Sequence, residues 1–159
     1  MITTDDLKNV PVLQGLSNKV FVKLEEIAHL QDIAEGEVIY AADTTAENVY
    51  IVKTGKVVLE ADLNPGASVA LASIKPGYLF GWYGMVPSTT HSMRARVVAD
   101  GELIVLPGDE LRMIMDEDHD FGYQFMNKMY LLIKQRLDRR TDQLIKVLGK
   151  HPDLLFGDL

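Results

Sequence analysis

The stretch from residue 76 to residue 99 holds the residues whose types and spacing best fit a binding site. Gly81 precedes a short segment that could form a helix, and a missing Cβ there would let the backbone approach a ligand closely. The unpaired N–H groups at a helix start favour an anion. Arg94 and Arg96 follow in a predicted strand, and a guanidinium binds anions through charge-assisted hydrogen bonds. The pattern predicts a ligand pocket; the alternative is that the glycines mark ordinary turns and that both arginines are solvated.

The rest of the chain carries no catalytic or metal-binding pattern. Its four histidines, at positions 29, 91, 119 and 151, lack the paired spacing that a zinc site needs. There is no cysteine, which excludes disulfides, thiolate metal ligands and a thiol nucleophile. No Ser-His-Asp arrangement, Walker loop or GxGxxG motif occurs. We therefore expect no metal, no cofactor and no enzyme activity.

Composition points to an ordinary soluble protein that does not bind nucleic acid directly. Apolar residues make up 47% and charged residues 25% of the 159 residues, as in typical globular domains. A formal net charge of −7 argues against binding a phosphate backbone, which needs clustered Lys and Arg. The first residues lack the basic and apolar regions of a signal peptide, and no apolar run approaches the ~20 residues that span a bilayer. We expect a cytoplasmic protein without a membrane partner.

Three regions differ in the period of their apolar residues, and together they predict one domain over the whole chain. Residues 1–30 show helical spacing, with Ser17 as a helix cap. Residues 31–107 hold short runs of β-branched residues between Gly and Pro turn signals. Residues 109–149 return to helical spacing, and residues 150–159 form a tail. Many short strands at close spacing predict a mainly β jelly-roll, or double-stranded β-helix, between an N-terminal helix and a long C-terminal helix.

The predicted strands are short and are bounded by turn signals. Two of these signals are Thr54-Gly55 and Asp100-Gly101, each of which separates two strand-like runs. The runs are residues 38–40, 49–52, 56–59, 69–72, 96–99 and 103–106.

The predicted C-terminal helix, residues 120–148 with Gly149 as its cap, carries an apolar stripe along its length. At 1.5 Å per residue it spans about 40 Å, more than a domain of this size covers by itself. We expect the first half, 121–133, to pack within the chain. For the second half, 137–148, we favour a homodimer seam flanked by charges as in a coiled coil; the alternative is a solvated helix end. The candidate seam residues are Met129, Ile133, Leu137, Leu144 and Leu148.

Four short motifs follow one another along the chain: Ala34-Glu35-Gly36-Glu37-Val38-Ile39-Tyr40, the run 43–52, Lys53-Thr54-Gly55-Lys56-Val57 and Pro76-Gly77-Tyr78-Leu79-Phe80-Gly81. In this order they resemble the signatures of the cyclic-nucleotide-binding domain family, as in catabolite-activator and Fnr-like effector domains. No single motif is specific, whereas their order and spacing together are fairly specific. The resemblance covers residues 10–148. It implies a β-roll with a regulatory, ligand-sensing role, and residues 76–99 would be its phosphate-binding cassette.

Two departures from the family pattern fall on the residues that hold the ligand there. After the cassette Phe-Gly the family has a glutamate for the ribose 2′-hydroxyl, and this chain has Trp82, which offers no acceptor. The family also has an arginine for the cyclic phosphate. The aligned residue here is Met93, or Arg94 if the alignment slips by one. Strand alternation places Met93 and Ala95 on one face and Arg94 and Arg96 on the other.

The resemblance and its departures predict a stand-alone regulatory sensor whose pocket accepts a non-standard ligand, a nucleotide or another small molecule, or none. The alternative is a ligand-free scaffold that binds a partner protein through the C-terminal helix and the apolar tail Leu154-Leu155-Phe156. Because only residues 151–159 follow the helix, whereas transcription-factor relatives carry a DNA-binding domain there, we expect no DNA binding by this chain alone. In ligand-gated relatives the terminal helix contacts the base, and Thr141 lies about there. The candidate ligand-binding residues are Phe80, Gly81, Trp82, Tyr83, Gly84, Met85, Met93, Arg94, Ala95, Arg96 and Thr141.

Overall fold

An antiparallel sheet of six strands forms the centre of the fold. The computed structural model describes residues 2–151. The strands are β1 (His29–Ile33), β2 (Val38–Tyr40), β3 (Asn48–Asn64), β4 (Ala67–Ile74), β5 (Leu79–Phe80) and β6 (Arg94–Pro107). Their order is β1-β6-β3-β4, with β2 paired to β6 and β5 paired to β3. This roll confirms the predicted mainly β class. Leu154, Leu155 and Phe156 of the predicted tail lie outside the described residues.

Helices lie at both ends of the roll. They are α1 (Thr4–Lys8), α2 (Asn18–Ile27), α3 (Gly108–Glu117) and α4 (His119–Lys150), with 3-10 helices at Pro11–Leu13 and Trp82–Met85. Ser17 caps α2 as predicted, since its Oγ accepts a hydrogen bond from the backbone N–H of Val20. Gly149 is not the predicted cap of the long helix, because α4 continues to Lys150 and His151 follows as its C-cap. No helix of residues 2–151 is long and apolar enough to cross a membrane.

Two predicted turns prove to be bends within continuous strands. Strands β3 and β6 run side by side past Thr54-Gly55 and Asp100-Gly101, and their pairing register shifts there. A Cβ added to Gly101 would lie 2.2 Å from the carbonyl oxygen of Thr54, and one on Gly55 would lie 2.7 Å from that of Ala99. The glycines therefore mark a close crossing of two backbones, at which the strands bend without ending.

Two hydrophobic clusters hold the structure together. One fills the inside of the roll, and the other joins the outer face of the sheet to the four helices. Phe121, Phe125 and Met129 of α4 are at most 2% exposed and belong to the second cluster, as predicted for the first half of the helix. The prediction is wrong for Ile133 at the end of that half, which is 42% exposed. Met129 is therefore removed from the predicted dimer seam, because its side chain is already buried within its own chain.

Candidate functional site

The cassette encloses only a small cavity, between the 3-10 helix Trp82–Met85 and the start of β6. Its volume is about 20 Å³, room for about one water molecule. Four of the predicted ligand-binding residues line it, together with four residues that the sequence prediction did not include. The lining residues are Gly81, Trp82, Tyr83 and Met93 from the prediction, and Tyr40, Leu59, His91 and Ser92 in addition.

Aromatic side chains fill the space beside this cavity. The ring of Tyr40 stacks on His91, with centroids 3.5 Å apart and planes within 7° of parallel. Tyr50 stacks on Phe80 at 5.1 Å, and Phe80 is fully buried. The hydroxyl of Ser92 contacts that of Tyr83 at 3.2 Å. The interior end of the cassette is thus closed by packed rings.

His91 contributes no positive charge to this site. Its side chain is 2% exposed, and its Nδ1 has no hydrogen-bond partner within residues 2–151. Burial lowers the pKa of His91 below its ordinary value of 6.5, so the imidazole is neutral at pH 7. A neutral imidazole cannot replace a guanidinium as the partner of a phosphate.

Gly81 precedes the 3-10 helix, and the packing of its backbone against Tyr50 explains why a glycine is found there. Its φ is +70°, and a Cβ there would lie 2.7 Å from Cδ2 of Tyr50. Glycine is required at this position because the backbone lies against the ring of Tyr50. The close approach that the sequence pattern suggested for a ligand is made to a side chain of the protein itself.

Arg94 and Arg96 do not reach the cavity. The Nη2 atom of Arg94 lies 2.9 Å from one carboxylate oxygen of Glu60, and that of Arg96 lies 2.5 Å from the other. Hydrogen bonds from Arg96 and Arg94 lower the pKa of this buried carboxyl group. Ala95 and Val97 point into the roll, which confirms the predicted alternation. Neither arginine therefore lines the cassette cavity.

Helix α4 supplies Arg136, a residue that the sequence prediction missed. Its guanidinium carbon lies 4.5 Å from the centroid of the Trp82 ring, and its Nη2 donates a hydrogen bond to the carbonyl oxygen of Leu79 at 2.6 Å. Its Nη1 is buried without a partner in the described part of the chain. Burial, together with repulsion from Arg140 and Arg139, lowers the pKa of Arg136 to about 10, and the side chain stays charged at pH 7.

A spacing signal could have identified Arg136. It continues the inward-facing series Phe125, Met129 and Leu132 at steps of four, three and four residues, the spacing of one helix face. Thr141, the residue chosen from the family pattern, is exposed and lines neither the cavity nor the cleft described next.

A larger cleft of about 280 Å³ lies between β4 and α4. Apolar side chains and four cations line it, and no acidic side chain does. None of these cations forms an ion pair with a carboxylate within residues 2–151. The lining residues are Leu71, Ala72, Ser73, Ile74, Lys75, Tyr78, Leu132, Gln135, Arg136, Arg139 and Arg140.

The remaining predicted site residues have structural positions. Phe80 and Ala95 are fully buried in the core of the roll. Gly84 is buried, and a Cβ there would lie 2.5 Å from the backbone oxygen of Asn48. Met85 packs against the cluster between the sheet and the helices. The described residues contain no group of three or more His, Asp or Glu side chains placed to hold a metal ion.

Comparisons with known proteins agree with this fold. Residues 30–118 match the family model of the cyclic nucleotide-binding domain. A curated relative, cGMP-dependent protein kinase isozyme 1 of Drosophila melanogaster, is 22% identical over 96% of this chain, which spans only 21% of that protein.

Two solved structures share the architecture at low sequence identity. A Geobacter metallireducens protein, provisionally described as cyclic nucleotide-binding, superposes with a TM-score of 0.75 at 21% identity, over 86% of this chain and 99% of that one. The catabolite activator protein of Thermus thermophilus gives 0.71 at 24% identity, over 87% and 63%. Since the family match covers more than half of the 159 residues, this chain belongs to the cyclic nucleotide-binding domain family.

Proposed function

We propose that this chain is a homodimeric regulatory module that senses a small molecule other than a cyclic nucleotide, and that its altered cassette does not hold a cyclic nucleotide. The observation that carries the proposal is the volume of the cassette cavity, about 20 Å³. Sites for small organic ligands usually measure ~300 Å³ or more. A nucleotide in the cassette would have to displace Trp82 and the stacked rings of Tyr40 and His91.

The chemistry of the cavity supports the same proposal. Trp82 stands where the family resemblance implies a carboxylate for the ribose, and an indole only donates hydrogen bonds. Arg94 and Arg96 are held by Glu60, and His91 is neutral for the reason given above. A cyclic phosphate in the cassette would thus be desolvated without a positive partner, at a cost of several kcal/mol.

Calorimetric titration with cyclic AMP and cyclic GMP tests the altered pocket. We expect no heat of binding up to millimolar nucleotide. Micromolar binding of either nucleotide by the unmutated protein would contradict the proposal. A matched comparison is the Trp82→Glu variant, which restores the acid of the family pattern but not the missing positive charge. We expect this variant to show no heat of nucleotide binding either.

The homodimer part of the proposal rests on an exposed stripe along α4. This helix has 32 residues and is thus about 48 Å long. Large apolar side chains recur on it at steps of three, four and seven residues, the spacing of a coiled-coil seam, and Leu137 and Leu144 are 63% and 57% exposed. A second copy of α4 would cover the stripe. Its members are Tyr123, Met126, Tyr130, Ile133, Leu137, Leu144 and Val147.

Sedimentation equilibrium tests the homodimer. The double variant L137E/L144E should sediment as a monomer, because charges in a coiled-coil seam are repelled and desolvated. The control Q124E/Q143E adds the same charge at exposed positions off the stripe and should keep the mass of the unmutated protein. An unchanged mass for L137E/L144E would show that α4 is not the seam.

A second candidate function is a ligand-free scaffold, favoured by the same exposed stripe. In that case the partner of α4 is another protein, and the roll holds no ligand. A native mass spectrum of the purified protein separates the two: a dimer with a bound small molecule supports the sensor, and a bare monomer supports the scaffold. In both cases we propose a cytoplasmic protein without catalysis, metal, cofactor, or direct contact with nucleic acid or membrane.

A further inference from the structure

The cleft between β4 and α4 combines an apolar floor with a positively charged rim. Leu71, Ala72 and Leu132 supply apolar surface, and Lys75 stands with the three arginines of α4 around it. This arrangement is unexpected in a protein with a net charge of −7 and only 16 basic residues. A quarter of those basic residues line one cleft that has no acidic side chain.

The charges in this cleft are uncompensated. Arg139 and Arg140 are close enough to Arg136 to depress its pKa, so the three guanidiniums repel one another. No carboxylate in the described chain pairs with them. Clustered cations without acidic partners attract a negatively charged ligand.

One donor in the cleft lacks a hydrogen-bond partner. Nη1 of Arg136 is buried and makes no hydrogen bond within residues 2–151, although Nη2 of the same group binds the carbonyl oxygen of Leu79. Buried donors are paired in the great majority of proteins, and an exception calls for a partner such as water or an ion. An oxyanion in the cleft would supply that partner.

We propose that this cleft is the ligand site of the module and that it binds a small dianion attached to an apolar group, as in a phosphate monoester or a dicarboxylate. The dianion lies among Arg136, Arg139 and Arg140, and the apolar group lies on Leu71 and Leu132. The volume of about 280 Å³ admits a compound of metabolite size. This inference rests on the proposed sensor role and assigns binding to α4 and β4 in place of the cassette.

Trp82 provides a built-in reporter of this site. It is the only tryptophan of the chain, and its ring lies 4.5 Å from the guanidinium carbon of Arg136. An anion that binds Nη1 weakens the field of the cation over the indole, so binding should change the tryptophan emission.

The experiment titrates the unmutated protein with benzyl phosphate, benzylmalonate and benzyl alcohol, followed by Trp82 fluorescence and by calorimetry. The first two probes are a phosphate monoester and a dicarboxylate, and the third is their neutral match. We expect at least one dianion to bind with a Kd below about 1 mM, and at least about tenfold more tightly than the alcohol, as charge-assisted hydrogen bonds imply. The probe that binds identifies the class of anion.

Two variants locate the binding. R139Q/R140Q should weaken the dianion at least about tenfold, since two charged donors are lost. K146Q/K150Q removes the same charge from exposed positions of the same helix outside the cleft and should change the Kd less than about twofold at moderate salt. Sedimentation equilibrium checks that both variants keep the oligomeric state of the unmutated protein.

Three results would overturn the inference: no binding of either dianion, equal binding of benzyl alcohol, or equal weakening by both double variants. These results differ from those that would contradict the proposed function. Micromolar binding of cyclic AMP or cyclic GMP by the unmutated protein contradicts the altered cassette, whereas the cleft is judged by the benzyl probes alone.

Discussion

The guanidinium carbon of Arg136 lies 4.5 Å from the centroid of the Trp82 ring, which joins the long helix to the cassette. The same side chain donates a hydrogen bond to Leu79, 57 positions away in the chain. Trp82 occupies the position at which the family resemblance implies a ligand-binding acid. A contact within the protein therefore holds α4 against the roll at the cassette.

Replacing Arg136 with Gln should weaken this junction. The variant loses the cation over the indole and the charged donor to Leu79, worth about 1–2 kcal/mol, but it also removes a desolvated charge that Arg139 and Arg140 repel. We therefore expect a net loss of less than about 1 kcal/mol in the free energy of unfolding. The emission of Trp82 should shift to longer wavelength, because the ring becomes more exposed to water when the guanidinium is removed. Urea denaturation followed by tryptophan fluorescence measures both effects.

The control for this variant is Arg139→Gln. Arg139 is exposed and neither stacks on an aromatic ring nor forms an ion pair among the described residues, so its replacement should leave stability and emission almost unchanged. If Arg136→Gln behaves like this control, the two side chains are not in contact in solution.

The fold class could be predicted from the sequence because strand runs and turn glycines are local signals. The two long strands could not, because Gly55 and Gly101 give the same local signal whether the chain turns or bends. Only the pairing of β3 with β6 decides between these outcomes, and that pairing joins distant parts of the chain. Strands β1 and β5 were missed because the first is mostly polar and the second has two residues.

The candidate site could be predicted in part, for a similar reason. Gly81, Trp82, Tyr83 and Met93 lie within the cassette and do line its cavity. The residues that fill or flank this region, such as Tyr40 and Arg136, come from other elements. Their position depends on how β2 and α4 pack on the cassette, which no local motif encodes.

The burial of His91 predicts a loss of stability in mild acid. The unfolded chain takes up a proton near the ordinary pKa of 6.5, and the folded chain does not, because burial lowers the pKa of this group. Protons thus favour the unfolded state. The titration of His91 does not reduce the free energy of unfolding above pH 6.5. Below that pH the free energy of unfolding should decrease by at most about 1.4 kcal/mol per pH unit.

Denaturation at several pH values, with His91→Phe as the comparison, measures this effect. Phenylalanine keeps a ring against Tyr40 but cannot titrate, so the slope between pH 6.5 and about 5 should flatten. The carboxyl groups of Asp6, Glu60 and Glu117 also have lowered pKa values, from ordinary values of 3.8 to 4.5, and act only below that range. An equal slope in both proteins would assign the acid sensitivity to another group.

Replacement by alanine should have opposite effects on stability at two glycines, one at the crossing of β3 and β6 and the other in α4. A Cβ on Gly101 would lie 2.2 Å from the carbonyl oxygen of Thr54, and a backbone atom cannot move away easily. We expect Gly101→Ala to destabilise the protein by about 3 kcal/mol or more. Gly149 lies in α4 with nothing within 4 Å of an added Cβ, so Gly149→Ala should stabilise it by up to about 1 kcal/mol. Thermal unfolding of both variants tests the pair, and a harmless Gly101→Ala would mean that the strands cross less closely.

The ion pairs of Glu60 predict a structural role for two arginines that the sequence pattern had placed near the ligand. Glu60 is 4% exposed, whereas Arg94 and Arg96 keep 32% and 37% of their side chains in solvent. Glu60→Gln leaves two guanidiniums beside a neutral group and should lower the free energy of unfolding by about 1–2 kcal/mol, less than for a fully buried pair.

The matched control is Asp62→Asn, since Asp62 also contacts Arg94, at 3.6 Å, but is 74% exposed; it should change stability by less than about 0.5 kcal/mol. Because neither Arg94 nor Arg96 lines the cleft of α4, Glu60→Gln should leave the Kd of the bound dianion unchanged in the benzyl titration. Tighter dianion binding by a folded Glu60→Gln protein would return the two arginines to the ligand site, since the variant frees both guanidiniums for an anion.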